Sequence, residues 1–157
     1  MNRNLELLKR SDVFGGLDDA QLTRIMGLAE PQVFAEGGAI LEEDQRGTRC
    51  YFIVAGRVDI EIRPPFSGRA AQKIATLKSG DVFGELSLVD GFLRSATARA
   101  VEPTEVLGFE NTTLEKLMEE DPRIGYRIMR NVANVLASRI RTTNMKLRNA
   151  ISDIFFY

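Results

Sequence analysis

The sequence predicts an α+β domain, mainly β, and three observations carry that reading. The hydrophobic period is helical up to about residue 30, strand-like from there to about residue 110, and helical again afterwards. Gly, Pro and Asp punctuate the middle part at short intervals: Gly37–Gly38, Gly47, Gly56, Pro64–Pro65, Gly68, Gly80–Asp81 and Pro103. The length of 157 residues suits one domain.

The elements follow in order. Residues 3–10 and 18–29 read as two short helices parted by Gly15 and Gly16. In the second, Leu17, Leu22, Ile25, Met26 and Leu28 recur at helical spacing, and Asp18 or Asp19 can cap its start. From Pro31 the segments PQVFAE, AILEED, RCYFIVAG, RVDIEIRP, AQKIATLK, RSATARAV and TEVLGFE are short and rich in β-branched and aromatic residues. Val58, Ile60 and Ile62 alternate with Arg57, Asp59 and Glu61, the pattern of a half-buried strand. Seven or more such strands imply a sandwich, jelly roll or barrel. Residues 111–120 read as one short helix. Asp121 and Pro122 then read as the N-cap and first-turn proline of another. That helix runs to about Ala150, on the order of 43 Å at 1.5 Å per residue. Ile124, Ile128, Val132, Leu136, Ile140, Thr143, Leu147 and Ile151 share one face of it. The strand body is too small to cover the whole stripe. A matching helix from a second copy is the simplest cover, since isologous homodimers are the commonest oligomers.

Composition excludes much chemistry. Hydrophobic residues make up 44% and charged residues 27%, an ordinary globular balance. There is no His, so there is no His-based zinc or iron site, no Ser-His or Cys-His pair and no imidazole relay. Neither a metal, a cofactor nor a catalytic residue is expected, and the chain reads as a non-enzyme. The lone Cys50 fits a reducing compartment. No apolar run reaches the roughly 18 residues of a membrane span, and no secretion signal opens the chain, so a cytoplasmic location without membrane contact is expected. Between 122 and 152 there are seven Lys or Arg and no Asp or Glu; before that, fourteen basic residues face twenty-one acidic ones. A basic segment can meet nucleic acid or fold beside an acidic body.

The stretch GDVFGELSLVDGFLRSATARA, 80–100, reads as an anion site. Gly84 lets backbone approach a ligand closely. Glu85-Leu86-Ser87-Leu88 can begin a helical turn whose free N–H groups meet an anion. Ser87 and Ser95 add hydroxyls. Arg94 alternates with small residues that leave it room, and its permanently charged fork of donors suits phosphate. Glu85 accepts hydrogen bonds only, which suits a hydroxyl. A hydroxyl-bearing phosphate ester satisfies both charges. The alternative is an Arg94–Glu85 salt bridge that stitches a loop.

FGELSLVDGFLRSATARA resembles the phosphate-binding cassette of the cyclic nucleotide-binding domain, the family of catabolite activator proteins, protein kinase A regulatory subunits and cyclic-nucleotide-gated channels. The likeness lies in FGEL, the Arg nine residues after the Glu, and the small-Ala-Thr that follows. LLKRSDVFGGLDDAQLTRI resembles the family's helical lead-in. GGAILEEDQRGTRCYFIVAGRVDI resembles its strand run, with Gly47, Tyr51, Gly56 and Val58 in place. The long last helix resembles its C-helix.

The resemblance implies an eight-stranded jelly-roll-like β-barrel with N-terminal helices and a long C-terminal helix. One domain then spans 1–157: helices in 1–30, barrel in 31–110 with the cassette at 83–97, and C-terminal helices in 111–157. It implies a sensor of cyclic AMP or cyclic GMP, with cyclic AMP favoured, that signals by movement of the last helix. Phe83 and Gly84 open the cassette. Arg94 pairs with the cyclic phosphate, Glu85 accepts from the ribose 2′-hydroxyl, and the N–H groups of Leu86 and Ser87 donate to phosphate. Ser95 and Ala96 line the phosphate or base edge. Ile60, Ile74 and Ala75 wall the base. Arg139, Thr143 and Asn144 meet it from the last helix, with Thr143 or Asn144 placed to cross a dimer seam.

The chain also departs from its relatives. The 157 residues hold no helix-turn-helix pattern after the long helix, whose arginines are spread around its faces, so sequence-specific DNA binding is not expected of them. The expected partners are the nucleotide, a second copy joined through the C-terminal helix, and an effector protein the sequence does not identify. Ile154, Phe155, Phe156 and Tyr157 form an apolar tail that can dock on the body or a partner. The other readings are a nucleotide-independent dimerisation or scaffold protein on the same fold, or a regulatory fragment of a larger transcription factor or channel.

Overall fold

Two short helices lead in: α1 (Arg3–Lys9) and α2 (Asp19–Met26). The computed structural model describes residues 3–65, 68–91 and 93–155, the side chain of Phe155 excepted. Phe92 of the cassette, and Phe156 and Tyr157 of the apolar tail, lie outside the described residues. A capping box starts α2: Gln21 N–H donates to the Asp18 carboxylate (2.8 Å), and Asp18 N–H donates to the Gln21 side chain (3.1 Å). α2 ends earlier than the apolar spacing implies, because Gly27 caps it.

Among the described residues eight strands follow: β1 (Glu30–Phe34), β2 (Ala39–Leu41), β3 (Arg49–Ala55), β4 (Arg57–Ile62), β5 (Gln72–Lys78), β6 (Val82–Phe83), β7 (Thr97–Ala100) and β8 (Thr104–Glu110). They form two antiparallel four-stranded sheets, ordered β1-β8-β3-β6 and β2-β7-β4-β5. This is the expected jelly roll, built as two facing sheets.

β3 explains the layering. Its Cys50, Phe52 and Val54 join the α-helices in one core cluster, while Tyr51 and Ile53 face the other sheet in a second. A strand buried on both faces reads as a continuous apolar run, as RCYFIVA does. The first cluster gathers Leu22, Ile25, Leu114, Ile124, Ile128 and Val132 around Phe52 and Phe109.

Between β6 and β7 lies one short helix, α3 (Leu86–Asp90). After β8 come α4 (Asn111–Glu120) and α5 (Pro122–Phe155). Asp121 separates them in an extended conformation, and its carboxylate accepts from Arg123 N–H at 3.2 Å. The 34 residues of α5 make it about 51 Å long. Its start is pinned by Asn131, whose Nδ2 donates to Val13 O (2.9 Å) and Gly15 O (2.8 Å). Along the apolar stripe Ile124, Ile128 and Val132 are buried and Leu136 is half-buried, whereas Ile140, Thr143, Leu147 and Ile151 are exposed. The body covers the first half of the stripe only. Among the described residues no helix is long and apolar enough to cross a membrane.

Candidate functional site

The segment joining β6 to β7 carries the site. Gly84 has φ +76°, and a Cβ there would stand 2.9 Å from Arg94 Nη1 and 3.1 Å from Arg49 O. Only glycine fits both the conformation and the approach. Glu85 sits just before α3, and Leu86 and Ser87 form its first turn. Gly91, in the left-handed conformation, ends the helix. The chain then returns to the β2–β3 connection, where Arg94 N–H donates to Gln45 O (2.8 Å) and Arg94 O accepts from Asp44 N–H (2.9 Å).

These contacts bury the Arg94 side chain. Its Nη1 donates to Gly84 O (3.1 Å) and Ser87 Oγ (2.9 Å), and its Nη2 donates to Arg49 O (2.6 Å). The guanidinium lies against Gly47, where any Cβ would overlap it. Its bonds to described residues use three of five N–H donors, and every acceptor is neutral. Burial lowers the guanidinium pKa below its ordinary value; nearby Tyr51, Cys50 and Glu85 oppose that. An arginine stays protonated here nonetheless, so among the described residues the site holds a buried positive charge with no carboxylate hydrogen-bonded to it.

Glu85 is 2% exposed and forms an ion pair with Arg139 Nη1 of α5. The Arg94–Glu85 salt bridge that the sequence allowed is not formed among the described residues; Glu85 is taken by a residue 54 positions away. The Ser87 hydroxyl is also committed. It donates to Gly84 O (2.9 Å) and accepts from Arg94 Nη1 and from Asn111 Nδ2 (3.0 Å). A hydroxyl with one proton and two lone pairs is then saturated, which leaves the Ser87 main chain rather than its side chain to serve as a donor.

A cavity of about 250 Å³ opens beside Arg94, walled by Leu41, Gln45, Gly47, Arg49 and Tyr51. Tyr51 stacks on Phe83, with ring centroids 5.4 Å apart. The structure therefore brings together Phe83, Gly84, Glu85, Leu86, Ser87, Arg94 and Arg139. Ser95 is exposed and Ala96 half-buried, directly after Arg94. Ile60 packs on the second core cluster and is paired with Ala75 and Ala98. Ile74 and Ala75 lie exposed on β5. Thr143 and Asn144 are exposed on α5, about one helical turn beyond Arg139.

Sequence reasoning missed three supports. Gly47 appeared only as a turn residue and as part of a family pattern; its use is to make room for the guanidinium. The Arg49 carbonyl accepts from Arg94 while the Arg49 side chain pairs with Glu110 (2.5 Å) and Glu30 (2.7 Å). Asn111, at the start of α4, carried no local signal.

A jelly roll with a buried arginine beside a short helix, and a long helix whose Arg139 reaches the buried Glu85, has the architecture of a ligand-binding regulatory domain. Residues 31–121 match the cyclic nucleotide-binding domain, and the chain belongs to that family. It is 28% identical over 151 residues to the CRP-like cAMP-activated global transcriptional regulator of Mycobacterium tuberculosis, covering 96% of this chain and 63% of that protein. It is 29% identical over 140 residues to the cyclic AMP receptor protein of Thermus thermophilus, covering 89% and 62%. The chain thus spans less than two thirds of the length of either relative. A cyclic nucleotide-binding domain from Methylobacillus flagellatus shares the fold, with a TM-score of 0.80 at 24% identity over 92% of this chain and 80% of that one.

Proposed function

We propose that this domain binds a cyclic nucleotide, cyclic AMP ahead of cyclic GMP, and passes its occupancy on through α5. The observation that carries the reading is Arg94, a buried cation whose bonds to described residues all go to neutral acceptors. A cyclic phosphate supplies the charge this group lacks, and the N–H groups of Leu86 and Ser87 donate to it. The ribose 2′-hydroxyl donates to Glu85. Ser95 and Ala96 line the phosphate or base edge, Ile60, Ile74 and Ala75 wall the base, and Thr143 and Asn144 meet it from α5. Cyclic AMP comes first because the M. tuberculosis and T. thermophilus relatives are named for it.

The output follows from Glu85. It is shared between the ribose site and Arg139, so occupancy changes what holds α5 against the body. That is a population shift, bounded by the ligand's differential affinity for the two arrangements. A homodimer through α5 fits the exposed half of the helix. Ile140, Leu147 and Ile154 recur every seven residues with Leu136, Thr143 and Ala150 between them, the spacing of a coiled-coil seam. The domain acts as a cytoplasmic regulator rather than an enzyme, and α5 passes its state to an effector.

Titration calorimetry with cyclic AMP and cyclic GMP tests this. Binding is expected, and Arg94→Ala weakens it by about 1.5–3 kcal/mol, the worth of a hydrogen bond to a charged group. No heat and no thermal shift with either nucleotide refutes the reading.

A further inference from the structure

Asn111 opens α4 and is 6% exposed. Its Nδ2 donates to Ser87 Oγ at 3.0 Å, and its main-chain N–H donates to Thr48 O at 2.8 Å. Its Oδ1 is buried and finds no hydrogen-bond partner among the described residues. A buried unpaired acceptor is a cost to folding that an apolar side chain of similar size would avoid. What the carboxamide provides in exchange is the bond to Ser87.

That bond completes Ser87. The hydroxyl proton goes to Gly84 O (2.9 Å), one lone pair takes Arg94 Nη1 (2.9 Å), and the other takes Asn111 Nδ2. With all three positions filled the hydroxyl cannot rotate, and it holds Arg94 Nη1 in one direction. The main chain of Asn111 acts on the other side of the same guanidinium. It anchors Thr48, and the next carbonyl, Arg49 O, accepts from Arg94 Nη2 at 2.6 Å. One residue, outside the cassette and 24 positions from Ser87, therefore braces both sides of the arginine.

We propose that Asn111 is a positioning residue for the anion: it fixes the Ser87 hydroxyl, and through it the Arg94 guanidinium, so that a cyclic phosphate meets a preorganised partner. The inference rests on the reading of Arg94 as the phosphate-binding group. Ordering the guanidinium beforehand removes that cost from the binding step and raises affinity. Because Asn111 also begins α4, the same bond ties the cassette to the helices that lead into α5.

The test titrates cyclic AMP into the parent chain and into Asn111→Leu, Asn111→Asp, Ser87→Ala and the Ser87→Ala/Asn111→Leu double variant, with thermal unfolding of each. Asn111→Leu is expected to lose roughly 3- to 10-fold in affinity at an unchanged or raised melting temperature, since the unpaired acceptor disappears. Asn111→Asp keeps the size, cannot donate to Ser87 and sets a carboxylate two hydrogen bonds from Arg94; its loss is larger. In the Ser87→Ala background, Asn111→Leu changes affinity by no more than about twofold, because the two residues act through one bond. A residue that only held the fold would lower affinity alike in both backgrounds. That equal loss, or parent-like affinity in both Asn111 variants, overturns the proposal alone. A parent chain that binds neither cyclic AMP nor cyclic GMP overturns the reading of the site, and this proposal with it.

Discussion

Replacing Gly47 with alanine asks whether the Arg94 guanidinium must occupy one place. A Cβ on Gly47 would overlap Cζ, Nε and Nη2 of Arg94. Those atoms are the rigid planar end of a side chain only 8% exposed, so the group has to move as a unit. Moving it endangers three hydrogen bonds, to Gly84 O, Ser87 Oγ and Arg49 O. Folding bears the overpacking, about 1–3 kcal/mol. For a chain of this length each kcal/mol lowers the melting temperature by about 2–4 °C. Binding bears the misdirected charge. Loss of a charge-assisted contact is worth about 1.5–3 kcal/mol, or roughly 10- to 150-fold in Kd. Calorimetry of Gly47→Ala beside Arg94→Ala is the assay. The glycine variant should approach the arginine variant although its positive charge is intact. If folded Gly47→Ala binds cyclic AMP within about twofold of the parent, the placement of the guanidinium does not govern affinity and the reasoning fails.

Three other outcomes are expected. Arg139→Ala strips the buried Glu85 carboxylate of its ion pair; because Arg139 is half exposed and screened, the cost in a thermal melt should be about 1 kcal/mol, and an unchanged melting temperature would count against that pair. Ile140→Lys with Leu147→Lys should convert a dimer to a monomer in analytical ultracentrifugation, and a parent chain that sediments as a monomer at its highest soluble concentration would remove the α5 seam. Burial pushes the Cys50 thiol up to about 12 from its ordinary 9.0, so it should not react with a thiol reagent at about pH 8 until the chain unfolds. The unfolded thiol ionises first, so this contribution to stability is full below pH 9.0 and lost as pH rises toward 12. Denaturant titrations above pH 9.0 should show a steeper decline for the parent than for Cys50→Val.

Much of the fold was readable because its determinants are local. The capping box at Asp18 and Gln21, the Asp121–Pro122 start of α5 and the alternation in β4 each depend on residues a few positions apart. β6 was not readable: Val82–Phe83 is too short for any period, and it is a strand only because Tyr51 and Phe52 pair with it. The cassette was readable for the same reason as the helices. Gly84, Glu85, Ser87 and Arg94 are close in sequence and in space. Their supports are not, since Arg49 lies 45 residues from Arg94, Asn111 lies 24 from Ser87, and Arg139 lies 54 from Glu85.

The sequence by itself determined the order of the helices and of every described strand but β6, the family, and the two charged residues of the candidate site. It did so because hydrophobic period, turn chemistry and one contiguous motif are properties of neighbours along the chain. Only the tertiary structure decided how those charges are partnered. Glu85 is matched by Arg139 of α5, and Arg94 meets carbonyls and a hydroxyl among the described residues. Charge pairing depends on distance in space and on exclusion of water. The packing of sheets and helices sets both, and no local pattern encodes them.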